Sequence, residues 1–301
     1  MSLTEKLVNN LYWQYSRVMN SPYSSVYAPS KNVEVLRCNT KGIPVLTKST
    51  LKGYTLKGSN TIKYITIDDD EGTTQETVIL RKGKRELTRF TNNFTAYCCS
   101  IMTCVALKEA CKLMGLSPYN LSVGFIGTGV TNQLNMKAIN DVYSIARGVI
   151  RGSKRNRSKN LHKFPNVVVS VDTDYTKLNE CDIIISCTSD CTGEEMVDTS
   201  LLTKPKVFIA LDTGFILDES FRKNCDSYTD HVNQLYGHYT EEFPFDKGRY
   251  PMKQLCKDKV LDKGRLAVYL YGTGFADAVV AEGLFRFSEN LAKCLISEMV
   301  V

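Results

Sequence analysis

The sequence predicts an α/β protein in which a doubly wound parallel-sheet domain is joined to a smaller α+β portion, and three observations carry that expectation. Short β-rich runs fill the stretch from about Val33 to Arg89. Apolar runs alternate with amphipathic helical segments from residue 117 to about 230. A strand runs directly into a glycine turn and a helix over Val123–Asn132. The length, 301 residues, suits about two domains. With 43% hydrophobic and 23% charged residues and only 8 Pro, the composition is that of a folded chain, not a disordered one.

The elements follow in order. Residues 1–20 read as a helix, because Leu7, Leu11, Tyr15 and Val18 fall roughly on one face. The runs VEVLR, IPVLT, TIKYITI and ETVIL, separated by Gly, Asn and Asp clusters, predict a small sheet. A helix is expected over 95–114, starting near Thr95 and closed by Gly115 as C-cap. Within it Cys98, Cys99, Cys104 and Cys111 recur at near-helical spacing, where thiols act as small buried hydrophobes. Then LSVGFIG, TNQLNMKAINDVYSIA, GVIRG, VVVSV, CDIIISCT and KVFIALD alternate strand with helix, the pattern of a parallel sheet covered on both faces. Residues 231–264 are polar and irregular, and from 265 a strand, a glycine turn and a long helix return to pack on the first part.

Composition also narrows the partners. Lys and Arg exceed Asp and Glu by 38 to 32, a mild excess that argues against a nucleic-acid partner. The first twenty residues lack the apolar core of a signal peptide, and no later run approaches the roughly 18 apolar residues of a membrane span. The expectation is a cytoplasmic protein with no membrane partner. Eleven cysteines, an odd number without an export signal, read as reduced thiols. With no CxxC pair and only His162, His231 and His238 available, no metal site is expected.

The segment VGFIGTGVTN is the most specific signal. Gly127 permits a tight turn, Gly129 lets the backbone approach a pyrophosphate, and Val130 and Gln133 lie in the first turns of a helix whose N-terminus attracts anions. Asn132 replaces the third glycine of the regular fingerprint, but the strand before and helix after supply its context. This predicts a Rossmann-like NAD(P) site, the alternative being an ordinary strand-to-helix turn. The next strand ends in Ile150–Arg157 without an acid, so Ser153, Lys154 and Arg155 are read as binding a 2′-phosphate, slightly favouring NADP(H). A solvated basic loop is the alternative there.

The pieces TIKYIT, NNFTAYCCSIMTCVAL, VGFIGTGVTNQ, CDIIISCTSD, VFIALDTG and YGTGFADAVVA, in this order from about residue 37 to 285, resemble the ornithine cyclodeaminase and mu-crystallin family. That family includes certain alanine dehydrogenases, ketimine reductases and siderophore-precursor synthases. The resemblance implies a central Rossmann-like doubly wound domain at 117–264 and an α+β substrate-binding and dimerisation domain built from both chain ends, residues 1–116 and 265–301. It also implies a homodimer acting on a small molecule. Lys63 matches the lysine that contacts the substrate carboxylate or carbonyl, and Asp212 the catalytic aspartate. For these two the alternatives are a solvent-facing strand lysine and a helix N-cap. Thr188 and Ser189 match a loop lining the cofactor, and Gly272 and Asp277 a C-terminal G-x-x-x-x-D signature, with Gly272 assigned to the cofactor.

One position departs from the pattern. Cys98 stands where the family carries an arginine that forks onto the substrate α-carboxylate, and a thiol cannot replace a planar guanidinium. Arg37, loosely matched to a second substrate arginine, or Arg89 takes over, or the substrate is not a simple α-amino acid, or catalysis has been lost. The first function implied is an NAD(P)-dependent oxidoreductase moving a hydride at an amino-acid or imine carbon, with Asp212 as general acid or base and Lys63 as electrostatic clamp. The alternatives are a catalytically silent NADP-binding protein and a cyclodeaminase or opine-type synthase that recycles its cofactor within one turnover.

Overall fold

The structure, a computed structural model, describes residues 1–18, 32–38, 40, 44–68, 70–71, 73–151, 167–170, 176–188, 199–212, 221, 223–230, 250–251 and 261–287. Helix α1 (Leu3–Val18) buries Leu7, Leu11, Tyr15 and Val18, the face expected from its spacing. A five-stranded antiparallel meander follows: β1 (Asn32–Cys38), β2 (Pro44–Tyr54), β3 (Ser59–Asp68), β4 (Thr73–Lys82) and β5 (Arg85–Thr91), paired in chain order.

Asn92 and Asn93, with φ of 58° and 55°, turn the corner into helix α2 (Phe94–Met114). Asn tolerates this left-handed region because its short polar side chain satisfies nearby backbone. Gly115, at φ 63°, ends α2 by returning its N–H to the Cys111 carbonyl, the stop expected of a C-terminal glycine. By length and composition α2 could cross a membrane, contrary to the expectation that no run would, but 78% of its apolar window is buried inside the protein. It is the core helix, and three of its four cysteines, Cys98, Cys104 and Cys111, are buried with it.

The second sheet has eight strands, every pairing parallel: β6 (Leu121–Ile126), β7 (Ile145–Arg151), β8 (Val167–Ser170), β9 (Ile183–Ser186), β10 (Val207–Ala210), β11 (Asp226–Thr229), β12 (Tyr250–Pro251) and β13 (Leu266–Tyr269). Their spatial order is β12-β11-β13-β10-β9-β6-β7-β8. From β6 the chain runs outward one way through β7 and β8 and then back through β9 and β10 on the other side, which makes β6/β9 the topological switch point. Helix α3 (Val130–Val142) connects β6 to β7, and a short α4 (Thr176–Asn179) precedes β9.

Period-two alternation splits the strand side chains between two cores. Val123, Phe125, Ile183, Ile185, Val207, Ile209, Leu266 and Val268 face the cluster that also holds α1, α2 and α3. Ile126, Ile184, Phe208, Ala210, Ala267 and Tyr269 face the opposite cluster with Leu178 and Phe221. Burial of both faces explains why these strands read as unbroken apolar runs.

Helix α5 (Gly274–Phe287) joins the two sheets, packing on α1, β2 and β3. Its first turn lies so close to β2 that a Cβ on Gly53 would fall 1.6 Å from the Gly274 carbonyl oxygen, and one on Gly274 would fall 1.8 Å from the Lys52 oxygen. The antiparallel part is therefore completed by both chain ends. β13 lies between β10 and β11 in the parallel sheet, and α5 after it packs on the meander.

Candidate functional site

The carboxyl ends of the parallel strands build one half of the site. Gly127, directly after β6, has φ of 102°, and a Cβ there would meet the Cys187 carbonyl oxygen at 2.2 Å. Only glycine allows β6 and β9 to exit this close together at the switch point. Gly129 is the N-cap of α3 and offers no side-chain cap. Among the described residues nothing lies within 4 Å of the position its Cβ would take. Orphan N–H groups at a helix start, beside open space, are the physical requirement for an approaching phosphate.

Asn132, the apparent departure from the fingerprint, is fully buried and holds this turn in shape. Its amide donates to the carbonyls of Ile126 (2.8 Å) and Gly127 (2.9 Å), while its oxygen accepts from Asn135 (3.0 Å). Gln133 donates to the Thr128 carbonyl at 3.1 Å, and half-buried Val130 packs against the core. Thr188 is brought to the same edge; its N–H and hydroxyl both donate to Asp212 at 3.2 Å. Ser153, Lys154, Arg155 and Ser189 lie outside the described residues.

Asp212 follows β10 and also accepts from Ser186 at 2.9 Å, so its carboxylate braces the exits of β9 and β10. Asp230, which sequence reasoning missed, directly follows β11 and is 1% exposed. It accepts the backbone N–H groups of Gly272 (2.8 Å) and Tyr271 (3.2 Å), and its carbonyl accepts from the Tyr15 hydroxyl. Gly272, at φ 81°, is thus turned toward Asp230 by its N–H. The signal that singled out Asp212, an acid at the end of a parallel strand, applies equally to Asp230; the polar strand DSYT hid it.

The antiparallel part supplies the other half. Lys63, mid-way along β3, lies 2.7 Å from Asp277 in the first turn of α5, with both side chains about 95% shielded from solvent. The ammonium also donates to the Thr95 hydroxyl at 3.3 Å, and Thr95 in turn donates to the buried Glu76 of β4. Burial lowers the Lys63 pKa, but the Asp277 carboxylate, with Cys98 and Cys99 adding to it, more than offsets that, so Lys63 titrates above its ordinary 10.5. Cys98 and Cys99, one turn into α2, are neighbours of this pair. Burial, reinforced by Asp277, drives the Cys98 thiol well upward. Burial and Cys187 push Cys99 up to about 12, with Asp277 and Asp230 adding to the rise and Lys63 opposing it. Neither is a thiolate nucleophile at neutral pH.

Arg37 and Arg89 do not join them. Arg37, on the edge strand β1, is half exposed and pairs with Asp68 (3.4 Å) and Asp70 (3.0 Å). Asp68 lies five residues along β3 from Lys63, an odd separation that turns it to the other face and sets it roughly 16 Å away. Arg89 is exposed and pairs with Glu86 three residues earlier. Among the described residues no cluster of His, Cys, Asp and Glu could hold a metal ion.

No family model and no curated protein matches the sequence. Solved structures do match over nearly the whole chain. Δ1-pyrroline-2-carboxylate reductase of Thermococcus litoralis, in complex with NADH and L-proline, matches with a TM-score of 0.73 at 15% identity over 96% of this chain and 94% of its own. A lysine cyclodeaminase matches with a TM-score of 0.74 at 16% identity over 95% and 87%. An archaeal alanine dehydrogenase dimer with bound NAD matches with a TM-score of 0.69 at 16% identity over 96% and 92%. The chain has their fold.

Proposed function

We propose that this protein is an NAD(P)-dependent oxidoreductase of the ornithine cyclodeaminase and mu-crystallin type, acting at a carbon bonded to nitrogen. The observation that carries the reading is the uncapped start of α3 at Gly129, open to solvent beside a glycine turn held at the switch point by Asn132. Gly127, Gly129, Val130, Gln133 and Thr188 would hold the dinucleotide, with Ser153, Lys154, Arg155 and Ser189 completing the adenosine and phosphate contacts of an NADP(H)-preferring site. When bound, the nicotinamide supplies a hydride to, or takes one from, the substrate carbon.

The protein's own groups orient the substrate and move the proton. In the direction of reduction the nitrogen gains a proton as its carbon gains the hydride. Oxidation of an ammonium releases that proton together with the hydride, and we assign its acceptance, and its return in reduction, to the carboxylate of Asp230, buried at the carboxyl end of β11. Asp212, read from the sequence as the general acid or base, accepts three donors from the β9 exit, and we assign it instead to keeping the cofactor loop in place. The Lys63–Asp277 pair, with Thr95 behind it, forms the polar wall against which the substrate is positioned. A small molecule is the partner, the assembly a homodimer, and the location cytoplasmic. Residues 1–116 with the C-terminal helix form the substrate-binding and dimerisation part, and 117–264 with β13 the dinucleotide part.

Titration of the purified protein with NADPH and with NADH, followed by fluorescence of the nicotinamide, tests the reading; a screen of imines and amines for steady nicotinamide oxidation or reduction follows. Binding without turnover of any amine or imine supports instead the second reading, a silent nucleotide-binding protein, which the thiol at Cys98 favours.

A further inference from the structure

The charges around Lys63 define which molecules this site accepts, an inference that rests on the oxidoreductase reading above. Lys63 is the only buried cation among the described residues. Its ammonium is held at 2.7 Å by Asp277 and reaches a second buried carboxylate, Glu76, through Thr95. Thr95 thus links the ammonium to a second acid that it does not itself touch, and with both carboxylates ionised the three groups carry one more negative than positive charge before any ligand enters. Next to them Cys98 contributes a neutral thiol, which neither neutralises an incoming anion nor repels an incoming cation. The two arginines that sequence suggested as substitutes are committed to surface acids, Arg37 to Asp68 and Asp70 and Arg89 to Glu86.

A ligand carboxylate entering here would have to displace Asp277 from Lys63 or lie against a net negative wall. A protonated amine or iminium would be drawn to that same wall. We propose that the substrate presents its reacting nitrogen as an amine or iminium cation and carries no carboxylate on the reacting carbon. The site is then one for simple amines and their imines, and its selectivity arises as much from electrostatic rejection of amino acids as from attraction of amines.

Pyrrolidine and L-proline test this directly, because both carry the ammonium and only proline carries the carboxylate. Isothermal titration of each into the protein saturated with oxidised dinucleotide, repeated with piperidine and L-pipecolate, should give at least tenfold tighter binding of the two amines. Equal or tighter binding of the two amino acids overturns the proposal. Cys98→Arg, wherever circular dichroism shows it folded, should narrow or reverse the preference; a folded variant with the preference unchanged also contradicts the assignment. Glu76→Gln, which keeps the shape and removes a charge, should weaken amine binding several-fold and leave dinucleotide affinity untouched. Should neither dinucleotide bind, the oxidoreductase reading falls by itself. The amine-to-amino-acid comparison is then read by thermal shift on the protein alone, where the same preference would still support the charge argument and its absence would end it.

Discussion

Lys63 and Asp277 meet at 2.7 Å although 214 residues of chain separate them, one on an antiparallel strand and the other on the last helix. The contact ties the two chain ends across the fold at the place where the parallel sheet presents its carboxyl edge. A buried pair of this kind is sensitive to loss of one member, because the survivor is left charged in a low-dielectric setting. Lys63→Met should lower stability by about 3–5 kcal/mol in urea unfolding, and adding Asp277→Leu should recover most of that loss.

Alkaline pH should destabilise the protein in two stages. The buried thiols keep their protons longer in the folded chain than in the unfolded one: Cys111 and Cys181 are pushed up to about 11, and Cys99 and Cys225 to about 12, from 9.0. Stability is therefore full below pH 9 and falls as pH rises through these values, by about 1.4 kcal/mol per pH unit for each proton retained. The raised pKa of Lys63 adds a second loss that begins above 10.5. Urea midpoints measured from pH 8 to 11 check the sign, and Lys63→Met should remove the second stage only.

Asn132 is better suited to this turn than the glycine of the regular fingerprint. Asn132→Gly removes the side-chain donor from the Gly127 carbonyl and leaves the Ile126 carbonyl with the Cys187 N–H alone, and should cost about 1–3 kcal/mol while weakening dinucleotide binding. Gly127→Ala should do worse on both counts, since the added methyl meets backbone at 2.2 Å on top of an unfavourable φ.

Much of the fold was legible in the sequence because burial on both faces leaves unbroken apolar runs, as in CDIIIS and KVFIA, and because Gly115 and Gly127 sit where positive φ is needed. The polar strand DSYT, buried by its Ser227, Tyr228 and Thr229, carried no such run, so Asp230 at its end went unnoticed. Arg37 lies away from the Lys63 cluster, a placement that the sequence could not give for a different reason. Its segment predicts a strand but not the register, and register decides which face a side chain takes. The Lys63–Asp277 contact was equally beyond reach, since it depends on how α5 lies against β2.

Two glycines make that approach possible. Gly274→Ala would drive its methyl to 1.8 Å from the Lys52 carbonyl oxygen, which nothing short of a backbone shift relieves. A loss of about 3 kcal/mol is expected in equilibrium unfolding, with reduced substrate binding because Asp277 shifts along with the helix.

The two strand-end carboxylates should separate by what they impair. Asp230→Asn is expected to reduce kcat by at least 100-fold with dinucleotide affinity unchanged, as for loss of a proton-transfer group. Asp212→Asn should instead weaken dinucleotide binding, because Thr188 loses its anchor. Parallel stopped-flow and fluorescence measurements on both variants distinguish the roles, and the reverse pattern would exchange them.

The central claim is that the turn at Gly127 and Gly129 receives a dinucleotide, and fluorescence titration with NADPH and NADH, in wild type and in Gly129→Asp, tests it most directly. Saturable binding of NADPH, weaker binding of NADH, and loss of both in the variant are the predicted result. Absence of binding to the wild type, or binding indifferent to a carboxylate at position 129, would contradict it.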